Sequence, residues 1–414
     1  NTNLSISDNQ LTSNTDWTGA EAVIRKNDWT MDRCIITKHS GPDLHYTSLG
    51  SASNATRNNG YFFQNDLRTL DNFGEWYYDG AKIYVYFGSE KPDNYIIKIP
   101  TIDNLIHNHT YDYLTIENIS FIGSGSSAIS FENYTDYYTI RNCHFVFSGE
   151  NAIKLIVARY GNIENNQMRN SVRCGIFLDS GTDNNIINNT VINSGFLPGA
   201  DYTGTYCVGI NSNYSDNTII QYNKIDSSAY NGMSFRGNNV LVKNNFINNS
   251  CLYLNDGAGI YSTGNKFTNR IIEGNIILNS FGNTSGTYNQ TSYAEGIYLD
   301  APSQDIIVKN NTIAFCARSG IFFHESHDNT CTGNICFDNS QQIRFQYGGV
   351  HPEDPIRNII FNNNILLAKS NNKIALWAGS SLEDIPAFLK SDNNYYARPV
   401  DDDDVFNNYT PSTG

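Results

Sequence analysis

The chain has 414 residues and a formal charge of −14, from 27 Lys and Arg against 41 Asp and Glu. Only 16% of residues are charged, while 39% are hydrophobic and 13% aromatic, which excludes a coiled coil or helical solenoid and also a disordered chain. The acidic balance and the lack of any Lys/Arg cluster argue against a nucleic-acid partner, and no run approaches the roughly 18 apolar residues of a membrane span. No charged-then-apolar leader opens the chain, so it reads as a soluble, mature form.

In chain order, residues 1–105 read as an N-terminal cap region. GYFFQNDLRTLD is a candidate helical or turn segment. EWYYDGAKIYVYF alternates apolar residues around Asp79-Gly80, as a tight β-hairpin does. From Thr115 onward one short pattern returns at intervals of roughly 22 to 36 residues: TIENISF, TIRNCHF, NIENNQM, NIINNTV, IIQYNKI, LVKNNFI, IIEGNII, IVKNNTI, TCTGNIC and IIFNNNI. Each copy is followed by a second strand, usually a small residue and then an apolar one, as in AISF, AIKL, GIFL, GINS, GMSF, GIYS, GIYL and GIFF; QIRF and KIAL keep the alternation without the small residue.

Superposing the copies produces columns. Ser124, Ser148, Ser171, Ser194, Ser228, Ser250, Ser280 and Cys316 share one position, and Asn166, Asn189 and their equivalents share another, a turn ladder. Identical side chains stacked at the ~4.8 Å strand spacing, with no helices between parallel strands, predict an all-β fold, a right-handed parallel β-helix over residues 106–378. Longer gaps, such as Gly195 to Cys207, Gly282 to Ala294 and Gln346 to Arg357, are then projecting loops. Residues 379–414 read as a C-terminal cap and tail, with Ser380 and Glu383 forming a capping box ahead of a short helix.

Of the eight cysteines, Cys331 and Cys336 fall at inward positions and Cys316 continues the Ser column. Cys174 and Cys207 lie one position out of step on adjacent coils, a spacing that admits a disulfide. No paired CxxC supports zinc, so no metal ligand is assigned. Sequons such as Asn54, Asn133, Asn213, Asn283 and Asn408 mark glycosylation acceptors, of a kind that so Asn-rich a chain also generates by chance.

Strand alternation predicts which side chains leave the core. With Ile297 and its equivalents inward, one outward column holds Asn211, Ser234, Tyr261, Tyr298, Phe322 and Arg344. The next holds Asp179, Asn213, Arg236, Thr263, Asp300, His324 and Gln346. Two positions before the Ile come Ala258, Glu295 and Ser319, with Asp256 just upstream of its strand. Earlier coils present Ser130, Glu132, Lys154 and Ile156, in which no site is evident. Aromatic faces stack on sugar rings and two carboxylates can flank a glycosidic bond, so the later coils fit carbohydrate chemistry. Regular strands would place Asp256 and Glu295 roughly 8 Å apart, nearer the inverting than the retaining spacing. Two of Asp256, Glu295 and Asp300 are the expected acid and base or nucleophile. Arg236, Tyr261, Tyr298, Phe322, His324 and Arg344 are the expected substrate-binding residues. Several have a structural alternative: aromatics packed under a loop, Asp300 capping a turn, Asp256 in an Asn-Asp-Gly turn, His324 at a polar loop entry.

Gly74 to Asp79 (GEWYYD), Asp256 to Tyr261 (DGAGIY) and Glu295 to Asp300 (EGIYLD) resemble segments of secreted pectate-lyase-like β-helix proteins, and most nearly of the β-helix glycoside hydrolases. The resemblance implies an extracellular or cell-surface protein acting on a polysaccharide or oligosaccharide, with carboxylates from neighbouring coils doing the chemistry. A first rival is a lyase or epimerase of uronic-acid polysaccharides, in which Arg236, His324 and Arg344 serve the sugar carboxylate and Asp residues hold Ca2+. The hydrolase itself needs no cofactor. A second rival is a non-catalytic, glycosylated surface or adhesin module.

Overall fold

The computed structural model describes residues 2–11, 15–264, 266–400 and 406–409. The chain forms two units, one of Asn1–Thr101 with Leu197–Thr205 and Thr284–Thr291, the other of Ile102–Phe196, Tyr206–Asn283 and Ser292–Gly414. No helix among the described residues is long and apolar enough to cross a membrane.

The first unit is built on a five-stranded antiparallel sheet in the spatial order Ser5–Ser7, Asp43–Ser48, Thr30–Ser40, Glu21–Asn27, Tyr61–Gln64. Ala22, Ile24, Cys34, Ile36, Leu44 and Tyr46 fill its core. A fully buried ion pair, Lys26 Nζ to Asp32 Oδ2 at 2.8 Å, is completed by Ser48 and Ser51 around the carboxylate. The segment expected to be helical or a turn is the strand Tyr61–Gln64 followed by a single 3-10 turn, Leu67–Thr69, in which the Asp66 side chain accepts from the Arg68 amide. The expected hairpin forms from Trp76–Tyr78 and Ile83–Val85, with Asp79 Oδ1 accepting from the amides of Ala81 and Lys82.

The second unit is a right-handed parallel β-helix with three parallel sheets, one 13-stranded and two 11-stranded. Its core column on the 13-stranded sheet runs Ile129, Ile153, Ile176, Ile210, Met233, Ile260, Ile297, Ile321, Ile343, all of them fully buried. Each such side chain contributes about 1.5–3 kcal/mol relative to exposure. The small residue before the Ile has a steric reason. A Cβ on Gly296 would lie 2.2 Å from Ile313 Cγ2 and 2.6 Å from the Gly320 carbonyl oxygen.

The Asn column is a continuous ladder, buried from Asn166 to Asn364 and part-buried at Asn394. Nδ2 of Asn166 donates to Oδ1 of Asn189, and the same bond repeats through Asn223, Asn245, Asn275, Asn311, Asn334, Asn364 and Asn394 at 2.9–3.0 Å. The second amide hydrogen reaches a backbone carbonyl on an earlier coil, such as Ile163 from Asn189 at 2.9 Å. Every donor of these buried amides is used, which is the condition under which burying them stabilises rather than costs. The turn residue just before the ladder takes a left-handed conformation, as Asn165 and Asn188 do at φ 57° and 55°, which Asn tolerates better than other residues with a side chain. The Ser column is in register too, and Ser250 Oγ meets Ser280 Oγ at 2.8 Å.

The described residues from 379 onward continue the coil. Leu389–Asp392 and Tyr395–Ala397 pair with the two 11-stranded sheets, and the expected short helix is the 3-10 turn Ile385–Ala387. Pro386, which has no amide hydrogen, sits in that turn. Cys331, Cys336 and Cys316 are buried as expected, whereas Cys174 and Cys207 are not joined in a disulfide; their Sγ atoms donate to the carbonyls of Tyr206 and Val172.

Candidate active site

On the 13-stranded sheet the early strands are short: Ile129–Phe131, Ile153–Ile156 and Ile210–Asn213 have three or four residues. The later ones lengthen to eight in Gly257–Gly264, eleven in Ala294–Gln304, and six and seven in Ser319–His324 and Gln341–Tyr347. These longer strands carry the candidate residues. The outward columns follow the expected register, with Ser234, Tyr261, Tyr298, Phe322 and Arg344 side by side.

Asp300 is the hub. Its Oδ2 accepts from the Tyr261 hydroxyl at 2.7 Å, and its Oδ1 from His324 Nδ1 and the Ala301 amide, both at 2.8 Å. The Tyr298 hydroxyl lies 3.3 Å from the same His324 nitrogen. With Nδ1 directed at Asp300, Nε2 of His324 is left for another partner. Burial alone would raise the Asp300 carboxyl; the hydrogen bond and charge of His324, with the Tyr261 hydroxyl, reverse this and hold it below the ordinary carboxylate value.

Asp256 behaves oppositely. It sits at φ 54° directly before its strand, where the Tyr230 hydroxyl donates to its carbonyl oxygen at 2.7 Å. Burial first, and the Asp300 anion second, push its carboxyl up to about 7, against a smaller opposing pull from Arg318. Two neighbouring carboxyls thus have their proton affinities driven apart, one toward the acid and one toward the base form at neutral pH.

Glu295 is not open to solvent in the way strand alternation suggested. It is 1% exposed; Oε2 accepts the Ser319 amide at 2.5 Å and Oε1 faces Arg318 Nη1 at 3.5 Å. Burial raises its proton affinity and Arg318 opposes. The register places it opposite Ala258, two residues beyond the position of Asp256, as expected.

The aromatic stripe faces outward yet is covered. Tyr298 and Phe322 are 4% and 2% exposed and stack at 4.8 Å between centroids, forming a small satellite core with Ala258 and Tyr261. They are therefore packing residues rather than open platforms for a sugar ring. Phe322 also stacks on His324 at 5.3 Å, fixing the imidazole plane. Arg344 lies over Trp377 at 3.7 Å and Phe322 at 5.2 Å, with its guanidinium bonded to Gln341 and Gln346. The Arg236 guanidinium is turned to the Tyr214 ring and hydroxyl, and its charge also reaches the Tyr261 hydroxyl.

Three residues escaped the sequence pattern. Arg318 and Tyr293 precede their strands, and Arg318 lies over the Tyr293 ring at 4.3 Å. Trp377 was hidden by a two-residue slip: the rung read as KIAL is in fact ALWA, because Ile343 pairs with Leu376 and Arg344 with Trp377. A slip of two keeps each side chain on its face, so alternation alone does not detect it.

A family model described as a right handed beta helix region matches residues 93–208, 136–296 and 208–385. No curated protein matches. Among solved structures, one named glycoside hydrolase is 13% identical, with 99% of this chain and 72% of that chain covered and a TM-score of 0.54. The mannuronan C-5 epimerase A-module of Azotobacter vinelandii is 12% identical, covering 74% and 90%, with a TM-score of 0.44. An alginate lyase from Paenibacillus sp. is 14% identical, covering 72% and 98%, with a TM-score of 0.40. At these identities the likeness is one of fold.

Proposed function

The chain belongs to the right-handed β-helix family, and on that fold we propose that it is an extracellular glycoside hydrolase in which Asp256 is the general acid and Asp300 the general base or nucleophile. The observation that carries this reading is the pairing of a carboxyl raised to about 7 with one held low by His324 and Tyr261. Protonated Asp256 delivers its proton to the glycosidic oxygen as the bond to the anomeric carbon breaks. Ionised Asp300 activates water or attacks that carbon. His324 Nε2 and Arg344 bind substrate hydroxyls. Glu295 anchors Arg318 and shapes the site without touching the reacting atoms. The test is sugar release from a panel of plant, algal and host glycans. Wild type turns over one class of glycan, while Asp256→Asn and Asp300→Asn each lose on the order of 10²-fold or more. Full activity in both variants would refute the assignment, and no turnover of any glycan would favour a binding module.

A second reading, a lyase or epimerase of uronic-acid polysaccharides, draws on the Tyr298–His324 contact beside Arg344. There His324 removes the C5 proton and Arg344 neutralises the sugar carboxylate. Absorbance from a new C=C bond in the product separates lyase action from hydrolysis.

A further inference from the structure

We propose that His107, His109 and Glu132, on the first two coils of the β-helix, form a binding site for a divalent transition-metal ion of the Zn2+ type. The strand Ile106–Asn108 turns His107 and His109 outward on either side of Asn108, whose buried amide bonds Thr135 and Tyr111. Alternation therefore places two imidazoles on one face, with centroids 6.1 Å apart. The Glu132 amide donates to the Asn108 carbonyl at 3.0 Å, which sets the carboxylate beside them on the next coil. One potential ligand atom from each of the three residues lies within 4.8 Å of the others, and His107 Nε2 is 3.9 Å from Glu132 Oε2.

The partners around the cluster divide the carboxylate between two tasks. Lys154 Nζ at 3.0 Å and Ser130 Oγ at 3.3 Å hold Glu132 Oε1, while Oε2 faces His107. The Asn133 amide lies 3.2–3.3 Å from the His109 ring nitrogens, where it donates to an imidazole lone pair. The Lys154 and Ser130 contacts steady the carboxylate as outer partners of a metal ligand do, whereas the Asn133 amide must release the His109 nitrogen that takes the ion. A tetrahedral ion at about 2.0–2.2 Å from each ligand needs ligand atoms about 3.4 Å apart, so a closure of up to about 1.4 Å by these side chains completes three positions and leaves a fourth open. Two nitrogens and one carboxylate oxygen suit Zn2+, Co2+ or Ni2+ rather than Mg2+ or Ca2+. Glu132 and Asp300 share one outward column six coils apart, about 29 Å at the strand spacing. The ion is thus remote from the candidate active site, and it would staple the first coil to the second.

The experiment is calorimetric titration of Zn2+ into the chelator-treated full chain, with melting followed in parallel. One saturable site and a rise in Tm of a few degrees are expected. His109→Ala and Glu132→Gln should each weaken binding on the order of 100-fold, while His144→Ala, exposed on another sheet, retains it. Co2+ should give the visible bands of a low-coordinate site in wild type, a readout independent of any variant's folding. No binding heat, no Co2+ bands, or binding untouched by His109→Ala and Glu132→Gln would overturn the proposal.

Discussion

The early and late coils of the 13-stranded sheet share one core and differ on their outer face. Inward, Ile153 and Ile297 occupy the same column and are equally buried. Outward, the early coils carry Lys154 paired with Glu132, both partly exposed, whereas the late coils bury Glu295, Tyr298 and Phe322 and build the Asp300 network. The inward positions hold the solenoid together, and a coil's outward positions can be rewritten for chemistry at little cost to it.

The largest expected effect is on activity. Asp256→Asn or Asp300→Asn should lower glycan hydrolysis on the order of 10²–10⁴-fold, while Asn211→Ala, on an earlier coil in the outward column of Tyr261 and Tyr298, should leave it unchanged. An equal loss from Asn211→Ala would erase the functional distinction between the two regions. Next comes Arg318→Met, which strands the buried Glu295 carboxylate. We expect a loss of about 3–5 kcal/mol in urea unfolding, against less than about 1 kcal/mol for Lys154→Met at the part-exposed early pair. Equal losses would show that the late coils are no more committed to their charges than the early ones. Ile153→Ala and Ile297→Ala should each cost about 2–5 kcal/mol and agree closely, since both leave a cavity in the same column.

The smallest effect concerns pH. Hydrolysis needs Asp256 protonated, so the rate should fall as pH rises through about 7, and the acidic limb set by Asp300 should lie below the ordinary carboxylate range. Stability carries the same sign. The folded state holds the Asp256 proton up to about 7 while the unfolded chain releases it near 3.8, so stability falls as pH rises across that window. Asp256→Asn should remove this slope and stabilise the protein above pH 7 by on the order of 1–3 kcal/mol, read from unfolding at several pH values. A destabilised Asp256→Asn would instead mark Asp256 as a structural turn residue.

The β-helix was legible in the sequence because its contacts repeat: Asn166, Ser171 and Ile176 recur at fixed offsets, and stacking turns one-dimensional periodicity into three-dimensional register. The N-terminal sheet was not. Its strands repeat nothing, and Ser5–Ser7 pairs with Asp43–Ser48 across a distance in sequence that no local pattern reports. Glu21–Asn27 and Thr30–Ser40 meet through Asp28-Trp29, a turn without glycine. Within the site, the neighbourhood of Asp300 and His324 followed from register. The burial of Glu295 did not, because its charge partner Arg318 precedes its strand and lies outside the repeating pattern. The His107, His109 and Glu132 cluster was not read from the sequence, because its carboxylate lies a coil away from the two histidines.

The Asn ladder also works as a gauge that ignores chain length. Successive rungs are separated by 34 residues from Asn189 to Asn223, 22 from Asn223 to Asn245 and 36 from Asn275 to Asn311, yet the amide bond is 3.0, 3.0 and 2.9 Å. Whatever is inserted between two rungs, the next coil starts from the same place. Such a scaffold can lengthen a loop by a dozen residues in one step and leave every other coil where it was, so new binding walls can be tried one at a time on an unchanged floor.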